Sequence, residues 1–156
     1  MNQLQQATVQ VTREFDTSPD LLFHAWLDKD TLGKWLFKTP NGVMTRVELE
    51  TYVGGTFCIV ERRDGKDVEH FGEYRAIKPP NQLRFNFWVN LNDTPTPPVP
   101  HVTQVTIDIS PLGEDGAQLT LTHDQVQPDY AGKVEDGWRM ILNNLALMLA
   151  QHSFRG

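Results

Sequence analysis

Residues 137–151 read GWRMILNNLALMLAQ, and within them Trp138, Ile141, Leu142, Leu145, Met148 and Leu149 recur at three- and four-residue spacing while Arg139, Asn143 and Asn144 fall at other angles. That pattern is a helix with one apolar stripe, and such a stripe has to be buried. The segments before it supply the surface. Leu83, Phe85, Phe87 and Val89 share one parity, as do Val105, Ile107 and Ile109, Leu119 and Leu121, and Phe57 and Ile59, with polar residues between them. Alternation of this kind describes a sheet with one apolar face and one wet face. A twisted antiparallel sheet of that type curls, and one long helix laid in the curl covers its apolar side.

Punctuation along the chain gives the order of elements. Residues 7–15 alternate as a first strand. Ser18-Pro19-Asp20 then opens a short helix marked by Leu22, Phe23 and Trp26, since a serine hydroxyl caps an orphan amide and proline loses nothing at the first helical position. Asp30 with Leu32, Trp35 and Leu36 predicts a second short helix that ends before Pro40. Strands follow over 44–52, 56–63, 67–77, 82–90, 102–110 and 117–123. They are joined by turns at Gly54-Gly55, Asp64-Gly65, Pro79-Pro80-Asn81 and 113–116. Glycine or Asp-Gly between alternating runs is hairpin chemistry, because those positions take positive φ. Residues 91–101 carry four of the ten prolines and read as a long loop at one end of the sheet. The expected fold is therefore α+β: a seven-stranded curved antiparallel sheet around a long C-terminal helix, with two short helices after the first strand.

Residues 1–156 read as one domain, with no internal repeat and no boundary. The net charge of -6 tells against binding nucleic acid or an anionic membrane surface, which need a basic field. Cys58 is the single cysteine, so no internal disulfide is possible and a cytoplasmic location is expected. The N-terminus shows no signal peptide, and the terminal apolar stretch falls short of the roughly 20 residues a spanning helix needs.

Four motifs in register carry a family resemblance: residues 18–26 (SPDLLFHAW) with Trp35, residues 53–57 (VGGTF), residues 72–80 (GEYRAIKPP) with Leu83, and Gly137-Trp138 followed by Leu142, Leu145 and Leu149. In these the chain resembles the helix-grip superfamily, also called START-like or SRPBCC, and within it the family named after the activator of the heat-shock chaperone ATPase. The resemblance implies a cavity between the long helix and the sheet that takes small apolar or amphipathic molecules. It also implies co-chaperone relatives, although residues 1–156 are expected to be one short domain without the additional N-terminal domain that the eukaryotic activator carries. The motifs are packing and turn residues, so they speak to fold more than to function.

The chemistry-bearing residues are few. The five histidines show no metal-ligand spacing, so no metal and no organic cofactor is expected. No serine lies in a nucleophile elbow. Cys58 sits mid-strand at the opposite parity to Phe57 and Ile59, as either filler or a reactive thiol. His123 follows Leu119 and Leu121 in the inward parity, either as a satisfied histidine bonded to a backbone carbonyl or as an acid or base at one end of the cavity. Glu61 follows Ile59 inward. The strand over 67–77 is ambiguous: one parity points Glu73 and Arg75 inward, the other points Tyr74 inward, and a bulge would reconcile them.

Three readings of function result. The first is a binding module for a small hydrophobic ligand, lined by Trp35, Phe57, Phe85, Phe87, Val105, Leu119, Trp138, Leu142 and Leu145. The second is a cyclase- or hydratase-type enzyme using Glu61, Glu73, Arg75 or His123 in the same cavity. The third is an interaction protein with a filled core, acting through a protein partner or as a homodimer.

Overall fold

The computed structural model describes residues 6–91 and 101–153. In chain order the elements are β1 (Ala7–Phe15), α1 (Pro19–Ala25), α2 (Lys29–Leu32), β2 (Val43–Leu49), β3 (Thr56–Arg63), β4 (Lys66–Lys78), β5 (Gln82–Leu91), β6 (Thr103–Leu112), β7 (Gly116–Val126), a 3₁₀ turn (Pro128–Tyr130) and α3 (Ala131–Ser153). The strands form one curved antiparallel sheet in the order β1-β7-β6-β5-β4-β3-β2. Strands adjacent in sequence are paired, except that β1 and β2 occupy opposite edges. The segment between them, with α1 and α2, therefore crosses from one side of the sheet to the other. Most of the proline-rich loop over 91–101 lies outside the described residues.

Local chemistry accounts for the boundaries. Ser18 caps α1, accepting the Leu21 amide at 3.2 Å. The cap of α2 is Asp28, whose carboxylate accepts the Asp30 amide at 3.2 Å and the Thr31 hydroxyl at 3.0 Å, so the helix starts at Lys29, ahead of Asp30. It ends at Leu32, short of the expected Trp35 and Leu36. The β2 strand stops at Leu49 because the Glu50 carboxylate turns back to accept the Thr56 amide and hydroxyl at 3.0 and 2.9 Å. In the β3–β4 hairpin both turn residues have positive φ, Asp64 at 51° and Gly65 at 79°, as a two-residue turn of this twist requires.

The ambiguity of β4 is resolved by a bulge. Tyr74 pairs with Phe85 and Ala76 with Arg84, which leaves Arg75 as the extra residue. Tyr74 is thereby buried on the α3 side, and Ile77 also packs against the core. Glycine is required at Gly72. A Cβ there would lie 2.2 Å from the Phe57 ring and 2.4 Å from the Asn86 carbonyl oxygen, so the aromatic ring occupies the space a side chain would need.

The concave face buries Val9, Val11, Phe57, Ile59, Leu83, Phe85, Val105, Ile107, Leu119 and Leu121 against Trp138, Ile141, Leu142, Leu145 and Met148 of α3. Two expected members sit apart: Leu149 is only partly buried, and Val89 is 43% exposed at the end of β5. Trp26 and Trp35 close the α1 side, edge to face with centroids 4.7 Å apart. Their indole N–H groups are buried without an acceptor among the described residues, so packing alone holds that contact. Leu145 has no exposed surface. Leu145→Ala is expected to destabilise the fold by about 2 to 5 kcal/mol in a denaturant titration. A loss under about 0.5 kcal/mol would contradict the burial of this face.

Candidate functional site

The interior between α3 and the sheet is filled. Trp35, Phe57, Phe85, Val105, Leu119, Trp138, Leu142 and Leu145, expected to line a ligand cavity, instead pack on one another as core. Phe57 and Phe85 meet edge to face at 5.3 Å, and Phe57 lies against Tyr74 at 5.6 Å. The void among Trp26, Leu36, Phe57, Tyr74 and Phe85 measures about 10 Å³, room for one water at most.

Space opens at one end of the grip. A cavity of about 440 Å³ lies where the ends of β5, β6 and β7 meet the 3₁₀ turn and the first turn of α3. Phe87, Val89, Val126 and Val134 give it apolar walls, Gln127, Tyr130 and Lys133 bring polar groups, and Thr103 and His123 lie on its inner side. Of the nine expected lining residues Phe87 alone reaches it. A depression of about 450 Å³ along Lys78, Gln82, Asp108, Ser110 and Thr120 lacks such a wall, since its lining is largely polar.

A hydrogen-bond chain closes the inner side of the cavity, and its direction follows from the donors available. An indole N–H can only donate, so Trp138 Nε1 gives its hydrogen to His123 Nδ1 at 2.9 Å. The neutral ring then carries its proton on Nε2, which donates to Thr103 Oγ1 at 2.7 Å. Thr103 in turn donates to the Phe87 carbonyl at 3.0 Å. Both ring nitrogens of His123 are thus occupied. Burial pushes its pKa down to about 4, which keeps the ring neutral near pH 7. His123 is a satisfied histidine, bonded to a hydroxyl and an indole where a backbone carbonyl was expected.

His70 sits behind this chain. Its Nδ1–H donates to the Ile59 carbonyl at 3.1 Å, and burial pushes its pKa down to about 4. Its ring stacks on Phe37 with centroids 4.1 Å apart, and Phe37 stacks on Phe87 at 5.1 Å. Phe37 adopts φ 60°, a left-handed conformation costly for a bulky side chain. The neighbouring contacts hold it there. Arg63 donates to the Phe37 carbonyl, and Asn144 of α3 donates to the Lys38 carbonyl at 3.0 Å.

The charged candidates are placed apart from the cavity. Glu61 points inward and is fully buried. It accepts the Thr39 amide and hydroxyl at 2.6 and 2.8 Å and pairs with Arg63. Burial alone would raise the Glu61 pKa, but the Thr39 amide, Arg63 and the Thr39 hydroxyl together hold it below the usual range. Glu73 and Arg75 pair with each other at 3.4 Å on the face away from α3, both partly exposed. Cys58 is half-buried on that same face, and burial raises its thiol pKa, the reverse of what activates a nucleophile. Among the described residues no group of three or more His, Cys, Asp or Glu side chains is placed to hold a metal ion.

Sequence reasoning missed Phe37, Thr103, Val126, Tyr130, Lys133 and Val134. Val134 had a signal, since it lies four residues before Trp138 on the same stripe. Phe37 had none, because its position follows from an irregular turn.

The two buried histidines set the acid response. With folded pKa values near 4 against an ordinary 6.5, the unfolded chain takes up protons first, so stability falls as pH drops from about 6.5 towards 4. Each histidine contributes a slope of about 1.4 kcal/mol per pH unit in that window. Glu61 adds its own loss only below the ordinary glutamate range. Denaturant titrations at pH 7 and pH 5 are expected to show this fall and to show it reduced in His123→Gln. Equal stability at both pH values in the unsubstituted protein would mean that the rings are not held neutral.

Comparison with known proteins agrees with the architecture. Residues 16–150 match the sequence model of the family described as Activator of Hsp90 ATPase homolog 1-like protein. No curated protein matches the sequence. Among solved structures, the chain is similar to protein Mll3558 from Rhizobium loti, with a TM-score of 0.74 and 26% identity over 91% of this chain and 96% of that one. Protein CV1439 from Chromobacterium violaceum has a TM-score of 0.77 at 23% identity, covering 90% of this chain and 95% of its own. Protein Ms6760 from Mycobacterium smegmatis gives 0.75 at 19%, covering 96% and 94%. On the match of its sequence over most of its length, the chain belongs to the Activator of Hsp90 ATPase homolog 1-like family, of the START-like (SRPBCC) superfamily.

Proposed function

We propose that this protein is a cytoplasmic binding module for one small apolar or amphipathic molecule, working without a metal or organic cofactor, and that the ligand sits in the end cavity. The observation that carries this reading is a ligand-sized, mostly apolar space of about 440 Å³ beside an interior that is otherwise packed. Binding is favoured over catalysis by the saturation of the polar groups behind it. His123 could act as a base only by giving up its bond to Trp138, and Glu61 is engaged by Thr39 and Arg63.

A protein partner is a second reading. It is favoured by the packed interior, by Leu21 and Leu147 at 59% and 58% exposure, and by a groove of about 240 Å³ between α1 and α3 that Leu21 and Met148 line. The neutral fluorescent probe N-phenyl-1-naphthylamine separates the two. It is expected to bind saturably at one site, with Val134→Trp weakening it at least about tenfold by filling the cavity and Leu147→Ser leaving it unchanged. Failure of the probe to bind saturably would favour the partner reading. Loss of binding on Leu147→Ser instead would move the site to the exposed face of α3.

A further inference from the structure

Resting on the end cavity as the binding site, we propose that its ligand is an anion: an apolar body carrying a single carboxylate or comparable acidic head, held by Lys133. The chain has 20 acidic against 14 basic residues, so a cavity taken at random from its surface would show carboxylates. None of the described residues lining this one is acidic, and Lys133 is its sole lysine or arginine. The local charge is the opposite of the molecule's.

Lys133 is also uncommitted. Five arginines are paired with carboxylates, Arg46 with Glu48, Arg62 with Asp67, Arg63 with Glu61, Arg75 with Glu73 and Arg139 with Glu135, while Lys29, Lys34 and Lys78, like Lys133, have no such partner among the described residues. Lys133 has no ion pair or hydrogen bond with a described residue, although Glu135 and Asp136 follow it on the same helix. It lies in the first turn of a 23-residue helix, where the backbone dipole adds positive potential. Gln127 and Tyr130, next to it on the lining, can donate to the second oxygen of a carboxylate. Other polar groups of the lining are engaged: His123 and Thr103 bond each other and Trp138, and His101 donates from Nε2 to the Gln125 carbonyl at 2.8 Å. An acidic head thus has one place to go, the mouth, while its apolar body lies against Phe87, Val126 and Val134.

The test compares two probes of equal length, decanoate and 1-decanol, each displacing N-phenyl-1-naphthylamine. Decanoate is expected to bind about tenfold more tightly than decanol. Lys133→Met, which keeps the apolar stem, should remove that advantage and leave decanol unchanged. In the unsubstituted protein added salt should weaken decanoate and spare decanol. Equal affinities for the two probes, insensitive to salt and to Lys133→Met, would overturn the anion assignment while the cavity kept its role. If neither probe displaced the reporter up to its solubility limit, the binding reading itself would fall, and this inference with it.

Discussion

Burial of one face of α3 in the curl of the sheet is the contact on which the rest of this molecule depends. The strands from β3 to β7 turn most of their buried apolar side chains to one side, and without the helix that side would face water. The cover is not uniform along its length. Aromatic rings from four sources, namely the α1 side, β3, β4 and β5, crowd the middle, and edge-to-face contacts such as Phe57 on Phe85 leave only the 10 Å³ void. Where the ends of β5 to β7 meet the start of α3, the packing leaves room for the end cavity.

The buried polar side chains act as ties between elements. Glu61 fastens the segment after α2 to β3, His70 fastens β4 to β3, and the Trp138–His123–Thr103 chain fastens α3 to β7 and β6. In each case a group costly to bury is kept because its partners come from separate parts of the fold. That is why Glu61 and His123 look like catalytic candidates in the sequence and like structural residues in space.

The fold was legible because its signals are periodic. Parity along Leu83, Phe85 and Phe87, three- and four-residue spacing along α3, and the Ser18-Pro19 and Asp64-Gly65 signals each have a local cause that survives without knowledge of the rest. The site was less legible, because parity tells which way a side chain points and not whether a neighbour has already filled the space. Trp35, Phe57 and Leu145 were correctly inward and still contribute no cavity. The facing of Glu73 and Arg75 turned on one bulged residue, which alternation could register only as a conflict.

Phe37 belongs to no strand or helix, yet its ring lies directly behind Phe87, backing the wall of the end cavity. The segment that carries it is pinned at its carbonyls and at Thr39, and none of those anchors uses the ring itself. Pocket depth and scaffold integrity are therefore encoded by different atoms of the same few residues. Exchanging the Phe37 ring would reshape the first at a cost in core packing on His70 and Phe87, while the backbone anchors of the segment stayed in place, in a fold that keeps its shape at about one residue in five shared.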